Sequence, residues 1–223
     1  LSIRSFPGDS LRVRLQRHAG SFNLEKRYDR RQVRWDSGQI REIEERVNLQ
    51  AVTDAITPRY GILTAHTLNR ALPTNEAVYG GPNSWLDSIQ STALDMCMPV
   101  AVLHASPDND WLYVRSEIAF GWIPAVNVAF GSTESIRKYV NAKDFIVALD
   151  HKVPIFADRG FNIYITDFYL GARLKLAKKT ASGYQVIVPV RKSDGAVEFT
   201  RAWVKPDARV NVGYQAYTQR NIL

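Results

Sequence analysis

The single thiol of the sequence, Cys97, is the first residue to test for nucleophilic chemistry. A catalytic cysteine needs a base within hydrogen-bond reach and surroundings that lower the pKa of its thiol. Cys97 instead lies between Met96 and Met98, at the entrance to an apolar run that starts at Pro99. Burial there would raise the thiol pKa, because an apolar environment disfavours the thiolate. The sequence therefore predicts a structural cysteine and no catalytic residue.

The remaining metal-binding and acid–base residue types form no pattern that indicates a cofactor. The four histidines are scattered singly along the chain: His18, His66, His104 and His151. No two of them have the short spacing that places imidazoles on one zinc ion. The segment 80–83, Gly-Gly-Pro-Asn, is typical of a turn and not of a phosphate-binding loop. Asp108 and Asp110 share one turn, whereas acid–base cleavage of a sugar needs two carboxyl groups across a cleft. We predict no metal and no cofactor.

Aromatic and polar side chains are the candidates for binding. Tyr and Trp faces pack on sugar rings or peptide stems while polar groups fix the orientation of the ligand. The candidate ligand-binding residues are Asn69, Arg70, Trp85, Trp111, Tyr113 and Trp122. Structural alternatives stay open, since Trp122 and Trp203 have apolar neighbours typical of a core and Trp111 fits either role. Arg70 could pair with a ligand carboxylate or with Asp108 or Glu117.

Charge is distributed unevenly along the chain. Residues 1–50 carry 11 Lys and Arg against 7 Asp and Glu, residues 51–130 carry 3 against 7, and residues 131–223 carry 15 against 8. Basic segments favour anionic partners such as nucleic acid, teichoic acids, anionic lipid or an acidic domain. The longest apolar runs have only the length of strands, so the sequence predicts no membrane span.

The elements that position these residues begin with a helical N-terminal segment. Asp36 can cap a helix start, and Gln39, three residues later, can reach back to it. Apolar residues at helical spacing continue to Ile56, until Pro58 disfavours helix. The basic stretch at 26–35 is interpreted as a solvated face or an ordered arm, and residues 1–35 contain no recognisable motif.

From Gly61 onward the pattern changes from helical to strand-like, with short β-branched and aromatic runs between turn residues. In a first unit we predict strands at 60–64, 100–104, 111–115 and 120–124, a loop at 69–74, a helical or turn insert at 84–94 and a turn at 106–110. After a linker at 131–141 we predict strands at 144–149, 153–156, 172–176, 184–190, 197–199 and 201–204. Late strands centred on Trp122 and Trp203 indicate one architecture used twice. The expected fold is mainly β, with two tandem small β-barrels preceded by a helical N-terminal segment.

A set of residues in this pattern resembles a known bacterial family. In the first unit they are 70–74, Leu86, Gln90, Ser91, Ala93, Leu94, 99–100, 102–106, Asp108, Trp111, Val114 and 121–124. They resemble the paired bacterial SH3 modules that precede the catalytic domain of multidomain NlpC-type cysteine peptidases. The second unit resembles the companion module through 145–149, 171–176 and 184–191 with Asp194-Gly195. The resemblance covers residues 60–217.

The resemblance implies four parts of the chain. Residues 1–59 correspond to a helical, basic N-terminal segment, 60–130 to a first bacterial SH3-like barrel and 131–217 to a second. Residues 218–223 would start a linker to a C-terminal catalytic domain that this chain does not contain. The implied location is the periplasm or cell envelope, after export, and lipoprotein anchoring is compatible with it.

The implied function is recognition of peptidoglycan, through its stem peptide or glycan, and positioning of a cysteine endopeptidase that cuts the stem peptide. Two alternatives of other classes remain. A nucleic-acid-binding barrel would carry a basic stripe interleaved with exposed aromatic residues, but the better-matched first unit is acidic, so no nucleic-acid partner is expected. A protein-interaction module for proline-rich peptides would need stacked aromatic residues on adjacent loops.

Overall fold

The computed structural model describes residues 4–215. Three α-helices occur in this range: α1 Gly8–Gly20, α2 Ser37–Val47 and α3 Thr133–Val140. The strands in this range are β1 Phe6–Pro7, β2 Ala55–Ile56, β3 Arg59–Leu63, β4 Thr67–Arg70, β5 Gln90–Leu94, β6 Pro99–Ala105, β7 Trp111–Arg115, β8 Phe120–Pro124, β9 Val128–Phe130, β10 Phe145–Ala148, β11 Lys152–Phe156, β12 Tyr164–Tyr169, β13 Arg173–Thr180, β14 Gly183–Arg191, β15 Val197–Val204 and β16 Val210–Val212. The predicted linker at 218–223 and the last two residues of the second predicted barrel lie outside the described range.

The predicted mainly β fold with a helical N-terminal segment is confirmed, because most of these strands form two seven-stranded sheets. The chain divides into two compact units by its internal contacts. Unit 1 comprises Leu1–Tyr60, Thr67–Leu94 and Val100–Val126, and unit 2 comprises Gly61–His66, Asp95–Pro99 and Asn127–Leu223. No helix among residues 4–215 has the length and apolar character needed to cross a membrane.

Helix α2 begins as the sequence predicts but ends earlier. The Asp36 side chain accepts hydrogen bonds from the amides of Gly38 and Gln39, and the Gln39 side chain bonds back to the Asp36 amide. The predicted helical continuation to Ile56 is wrong. Asn48 adopts the left-handed conformation with a φ of 53°, which stops the helix after Val47, and Ala55–Ile56 instead forms strand β2 against β1.

Helix α1 was not predicted, yet it supplies much of the core of unit 1. Leu11 and Leu15 pack in one hydrophobic cluster with Trp111, Tyr113 and Trp122 of strands β7 and β8. A second cluster joins α2 to the loop before β5 and contains Leu24, Trp35, Ile43, Ala71, Leu72, Val78 and Ile89. The N-terminal helices therefore complete the interior of unit 1.

The basic stretch at 26–35 is an ordered arm with two buried side chains. Trp35 lies in the second cluster, and the Asp29 carboxylate accepts hydrogen bonds from the amides of Val33 and Arg31. These bonds, led by that of Val33, lower the pKa of Asp29. The arm is fixed by local hydrogen bonding and by one buried indole.

Five strands of unit 1 form a section of the first seven-stranded sheet in the order β5-β4-β8-β7-β6. Strands β7 and β8 have the predicted bounds, and the turn between β6 and β7 is also confirmed. The predicted loop at 69–74 begins inside strand β4, and the predicted insert at 84–94 contains strand β5. The two strands pair with each other, so long-range pairing overrides the polar sequence of both.

Unit 2 contains the whole second sheet, in the order β12-β11-β15-β14-β13-β10-β16, and residues 61–63 of β3, which pair antiparallel with β9. The predicted linker at 131–141 contains helix α3, which Ser132 caps by accepting from the Ser135 amide. Strand β12 was not predicted, and the two predicted strands at 197–199 and 201–204 are one strand, β15. Ile62, Met96 and Cys97 join the apolar side chains of the second sheet in a single core.

Candidate functional site

All six candidate ligand-binding residues belong to unit 1, and five of them are buried in its interior. The exposed fractions are 0% for Asn69, Tyr113 and Trp122, 4% for Arg70 and 5% for Trp111, whereas Trp85 is 87% exposed. A ligand could reach the five enclosed side chains only by entering the interior of the unit. Their binding role stays a prediction, and Trp85 is the candidate with open access.

Trp111, Tyr113 and Trp122 share one face of the sheet in unit 1. Trp111 and Tyr113 are two residues apart on β7, and Tyr113 pairs directly with Trp122 of β8. The Tyr113 and Trp122 ring centroids are 5.4 Å apart in an edge-to-face arrangement. Burial raises the pKa of Tyr113 to about 12. Trp122 thus lies in the core, as its apolar neighbours predicted, whereas Trp203 is only half-buried.

Arg70 forms an ion pair within the protein, and its partner is not one of the two predicted. Arg70 Nη2 lies 2.9 Å from Asp87 Oδ2 and donates to the carbonyl oxygen of Glu76 at 2.7 Å. The predicted pairing with Asp108 or Glu117 is wrong, because the loop between β4 and β5 folds back and brings Asp87 to Arg70. The second carboxylate oxygen of Asp87 accepts from the amides of Val78 and Ile89.

Asn69 lies against Gly121 of the adjacent strand. A Cβ atom on Gly121 would be 2.3 Å from Asn69 Oδ1, so only glycine leaves room for this amide. Neither side-chain atom of Asn69 that could hydrogen-bond has a partner among residues 4–215. The glycine before Trp122 therefore has a packing role.

The Asp-rich turn before Trp111 is built by its own side chains. The Ser106 hydroxyl donates to Asp108 Oδ1, which also accepts from the Asp110 amide, and the Trp111 amide donates to Ser106 Oγ at 3.0 Å. The Ser106 hydroxyl is the main cause of the lowered pKa of Asp108. The turn interpretation of these two aspartates is confirmed.

The loop that carries Trp85 presents apolar surface to solvent. Leu86 beside it is 61% exposed. Two contacts hold the loop in unit 1: the Asn83 amide donates to Gln32 Oε1 at 2.8 Å, and a backbone bridge joins Tyr79 to Asp87. Because Asp87 also pairs with the buried Arg70, the exposed indole lies two residues from a carboxylate that is anchored in unit 1.

Cys97 is the structural residue that the sequence predicts. Its Sγ lies 3.1 Å from the hydroxyl of Tyr139, which donates to the carbonyl oxygen of Ile187 at 2.7 Å. Burial raises the pKa of the Cys97 thiol to about 12. A thiol that remains protonated at neutral pH, next to a phenol, cannot act as a nucleophile. Between residues 4 and 215 no group of three His, Cys, Asp or Glu side chains is placed to hold a metal ion.

Unit 2 contains a cluster of polar and aromatic side chains that lie far apart in the sequence. His66 Nδ1 donates to Asp95 Oδ1 at 3.0 Å, and the His66 ring stacks on Tyr169 with centroids 3.9 Å apart. His151 meets the same Tyr169 ring edge-on, and Lys152 Nζ lies 5.5 Å from its centroid. No local sequence pattern could reveal this cluster, because the fold of unit 2 brings distant residues together.

Comparison with known proteins identifies a domain in unit 1 and a structural neighbour for the chain. Residues 83–124, which include the Trp85 loop, match the family model of an SH3 domain of the SH3b1 type. No curated protein matches the sequence of this chain. A solved structure of an NlpC/P60 endopeptidase from Photobacterium damselae subsp. piscicida matches with a TM-score of 0.77 and 16% identity, over 99% of this chain and 50% of that chain. The chain spans about half the length of that structure, and the likeness is one of fold.

Proposed function

We propose that this chain is the peptidoglycan-recognition and positioning region of a bacterial cell-wall hydrolase of the NlpC/P60 type. The observation that carries the proposal is the SH3b1-type match at residues 83–124 within a chain whose fold matches that of an NlpC/P60 endopeptidase over 99% of its length. In this proposal residues 60–130 and 131–217 form the two bacterial SH3-like barrels, and residues 1–59 support them.

The chemistry of the described residues supports binding rather than catalysis. The only cysteine is buried, and its thiol pKa is raised to about 12. Asp108 and Asp110 are held in one turn, and the Asp108 carboxylate serves to build it. The proposed hydrolytic step therefore belongs to a cysteine endopeptidase domain that follows this chain, and the proposed place of action is the cell envelope.

Trp85 is the residue of unit 1 that we propose to contact the wall. An exposed indole packs on a sugar ring or on the apolar part of a stem peptide. The Arg70–Asp87 ion pair fixes the base of its loop, so the ring is presented by a rigid support. Loops of this unit can in this way shape the specificity of a neighbouring active site without taking part in the reaction.

Co-sedimentation of the purified chain with isolated sacculi, at low and at moderate salt, tests the proposal. Release of stem-peptide fragments is assayed in the same tubes. We expect retention without cleavage, and about tenfold weaker retention of Trp85→Ala, the loss expected when an aromatic anchor is removed. Ile118→Ala, which removes an apolar side chain 64% exposed in the same unit, is the matched control and should bind like the wild type. Absence of retention at both salt concentrations would contradict wall recognition.

A further inference from the structure

A continuous row of side chains crosses five strands on the outer face of the second sheet. The register pairs Lys178 with Gln185, Gln185 with Trp203, Trp203 with Phe156, and Phe156 with Tyr164. Directly paired residues lie on the same face of a sheet. We call these five residues the outer row.

The outer row lies on the side of the sheet opposite the core. Ala202 and Val204, the neighbours of Trp203 on β15, are core residues, as are Tyr184 and Val186 on either side of Gln185. Along the same face, helix α3 covers Phe199, whose ring stacks on Tyr139 at 4.7 Å. Farther along β15, the row reaches solvent, with Tyr164 57% exposed and Trp203 half-buried, whereas Phe156 between them is buried.

Cations lie over the rings of the outer row. The Arg159 guanidinium is 5.9 Å from the centroid of Trp203, and Lys205 Nζ is 5.5 Å from that of Phe156. The exposed Arg201 lies two residues before Trp203 on the same strand face. Within the part of the chain that the structure describes, no carboxylate forms an ion pair with Arg159, Lys178, Arg201 or Lys205. The row is therefore an aromatic surface flanked by cations, with the Asp167 carboxylate at the hydroxyl of Tyr164.

The loop that carries Arg159 is held in one shape by its own hydrogen bonds. Asp158 Oδ1 accepts from the amides of Asn162 and Ile163 at 2.9 and 2.7 Å. Phe161 adopts the left-handed φ of 59°, which the Asp158 contacts and its edge-to-face packing on Phe156 maintain. Arg159 Nη2 donates to Ser182 Oγ at 2.6 Å, so its guanidinium is oriented before a ligand arrives.

We propose that the outer row of unit 2 binds strands of peptidoglycan, with Arg159, Arg201 and Lys205 taking the free carboxylates of the stem peptides and Tyr164 packing on the sugar rings. This inference rests on the proposed function and adds a second contact surface and its ligand chemistry. Cations oriented beside aromatic rings suit a polymer in which the apolar faces of sugar rings lie next to peptides that carry carboxylates.

The same geometry disfavours single-stranded nucleic acid as the ligand. Base stacking needs free ring faces. Arg159 and Lys205 lie over the rings of Trp203 and Phe156, so Tyr164 is the one aromatic residue of the row that no cation among residues 4–215 covers, and a single ring does not provide the stacking surface that successive bases need. Spaced carboxylates can meet such fixed cations without displacing them from the rings.

The test uses the full chain and sacculi from which phosphate-containing polymers have been removed, so that carboxylates are the remaining anions. The variants are Tyr164→Ala and the double variant Arg159→Gln/Arg201→Gln, all at exposed positions. The matched controls are Lys143→Gln for charge and Leu170→Ala for exposed apolar area, both in unit 2 and outside the row. Circular dichroism melting of each variant identifies any that fails to fold.

We expect at least tenfold weaker retention of the double variant and of Tyr164→Ala, with unchanged retention of both controls, and weaker binding of the wild type as salt rises. Wild-type binding that the row variants leave unchanged would overturn this inference while the proposed function stands. Absence of wild-type binding would overturn both. Binding of an oligothymidylate that is tighter than binding to sacculi, and lost in the same variants, would assign the row to nucleic acid instead.

Discussion

Arg70 Nη2 and Asp87 Oδ2, 2.9 Å apart, join strand β4 to the end of the Trp85 loop through a pair of charges that is largely shielded from solvent. The two side chains are 5% and 17% exposed. The other oxygen of Asp87 accepts two backbone amides of the same loop. The Asp87 carboxylate therefore holds the backbone of the loop in place and also neutralises the positive charge of Arg70.

Removal of the charge of Asp87 tests this arrangement. Asp87→Asn keeps an oxygen that can accept from the Val78 and Ile89 amides but leaves Arg70 without its counter-charge. We expect the free energy of unfolding to fall by about 3–5 kcal/mol, the usual result of leaving a buried charge unpaired. Urea unfolding followed by tryptophan fluorescence measures it.

The control for that experiment is the exposed pair of Glu42 and Arg46 on helix α2. Glu42→Gln should cost about 0.5 kcal/mol or less, because exposed pairs one helical turn apart contribute little. Equal losses in Asp87→Asn and Glu42→Gln would contradict a buried structural role for Asp87.

The capping box at the start of α2 gives a second prediction. Asp36→Ala leaves the amides of Gly38 and Gln39 without their acceptor and should lower the free energy of unfolding by about 1 kcal/mol. Glu44→Ala, at an exposed position inside the same helix, should change it by less than about 0.5 kcal/mol. The same urea titration compares the two variants. If Asp36→Ala left the free energy of unfolding unchanged, tertiary packing alone would determine where the helix starts.

Protonation of His104 should make the stability of the protein depend on pH. Its Nε2–H donates to the carbonyl oxygens of Val47 and Asn48, at the C-terminus of α2, and burial lowers its pKa below the ordinary 6.5. The unfolded chain therefore takes up the proton first, so the contribution to stability is complete above pH about 6.5 and declines as pH falls below it.

The measurement is the Tm at pH 7.5 and at pH 5.0. We expect a lower Tm at pH 5.0 in the wild type and a smaller difference in His104→Gln, whose side-chain amide can still donate to the carbonyl oxygens. Burial lowers the pKa of His18 as well, so the double variant with His18→Gln should lose more of the difference. A Tm that rises on acidification would refute the sign of this prediction.

Cys97 should be almost inert in the folded protein. With a thiol pKa of about 12, the thiolate fraction at pH 8 is on the order of 10⁻⁴, and the sulfur is enclosed. We expect reaction with an aromatic disulfide reagent to be more than about 100-fold slower than in urea, where one thiol per chain should react. Complete labelling of the folded protein within minutes would place Cys97 at an accessible, activated site.

The sequence predicts those elements whose signals are local. Strands β7 and β8 were predicted with their observed bounds, because turn residues flank each of them. The capping box was also predicted, since Asp36 and Gln39 carry it by themselves. Helix α2 was extended too far because the left-handed conformation of Asn48 leaves no mark in the apolar spacing.

The burial of the candidate site residues depends on contacts between distant parts of the chain. Trp111, Tyr113 and Trp122 do form an aromatic face, as a binding surface would. Helix α1, whose sequence has no recognised motif, places Leu11 and Leu15 in the cluster that buries this face. The outer row could not be predicted for the corresponding reason, since the pairing of five strands, and not spacing along the chain, brings its residues together.

The discontinuous composition of unit 2 limits how such a protein can be rearranged in evolution. Its core takes Ile62 from one short stretch, Met96 and Cys97 from a second, and its remaining residues from beyond position 126. A recombination event with a single breakpoint after residue 126 would transfer the second sheet without those three side chains and leave holes in its interior. Gene exchange that preserves unit 2 must therefore carry everything from residue 61 onward, including residues 67–94 and 100–126 of unit 1.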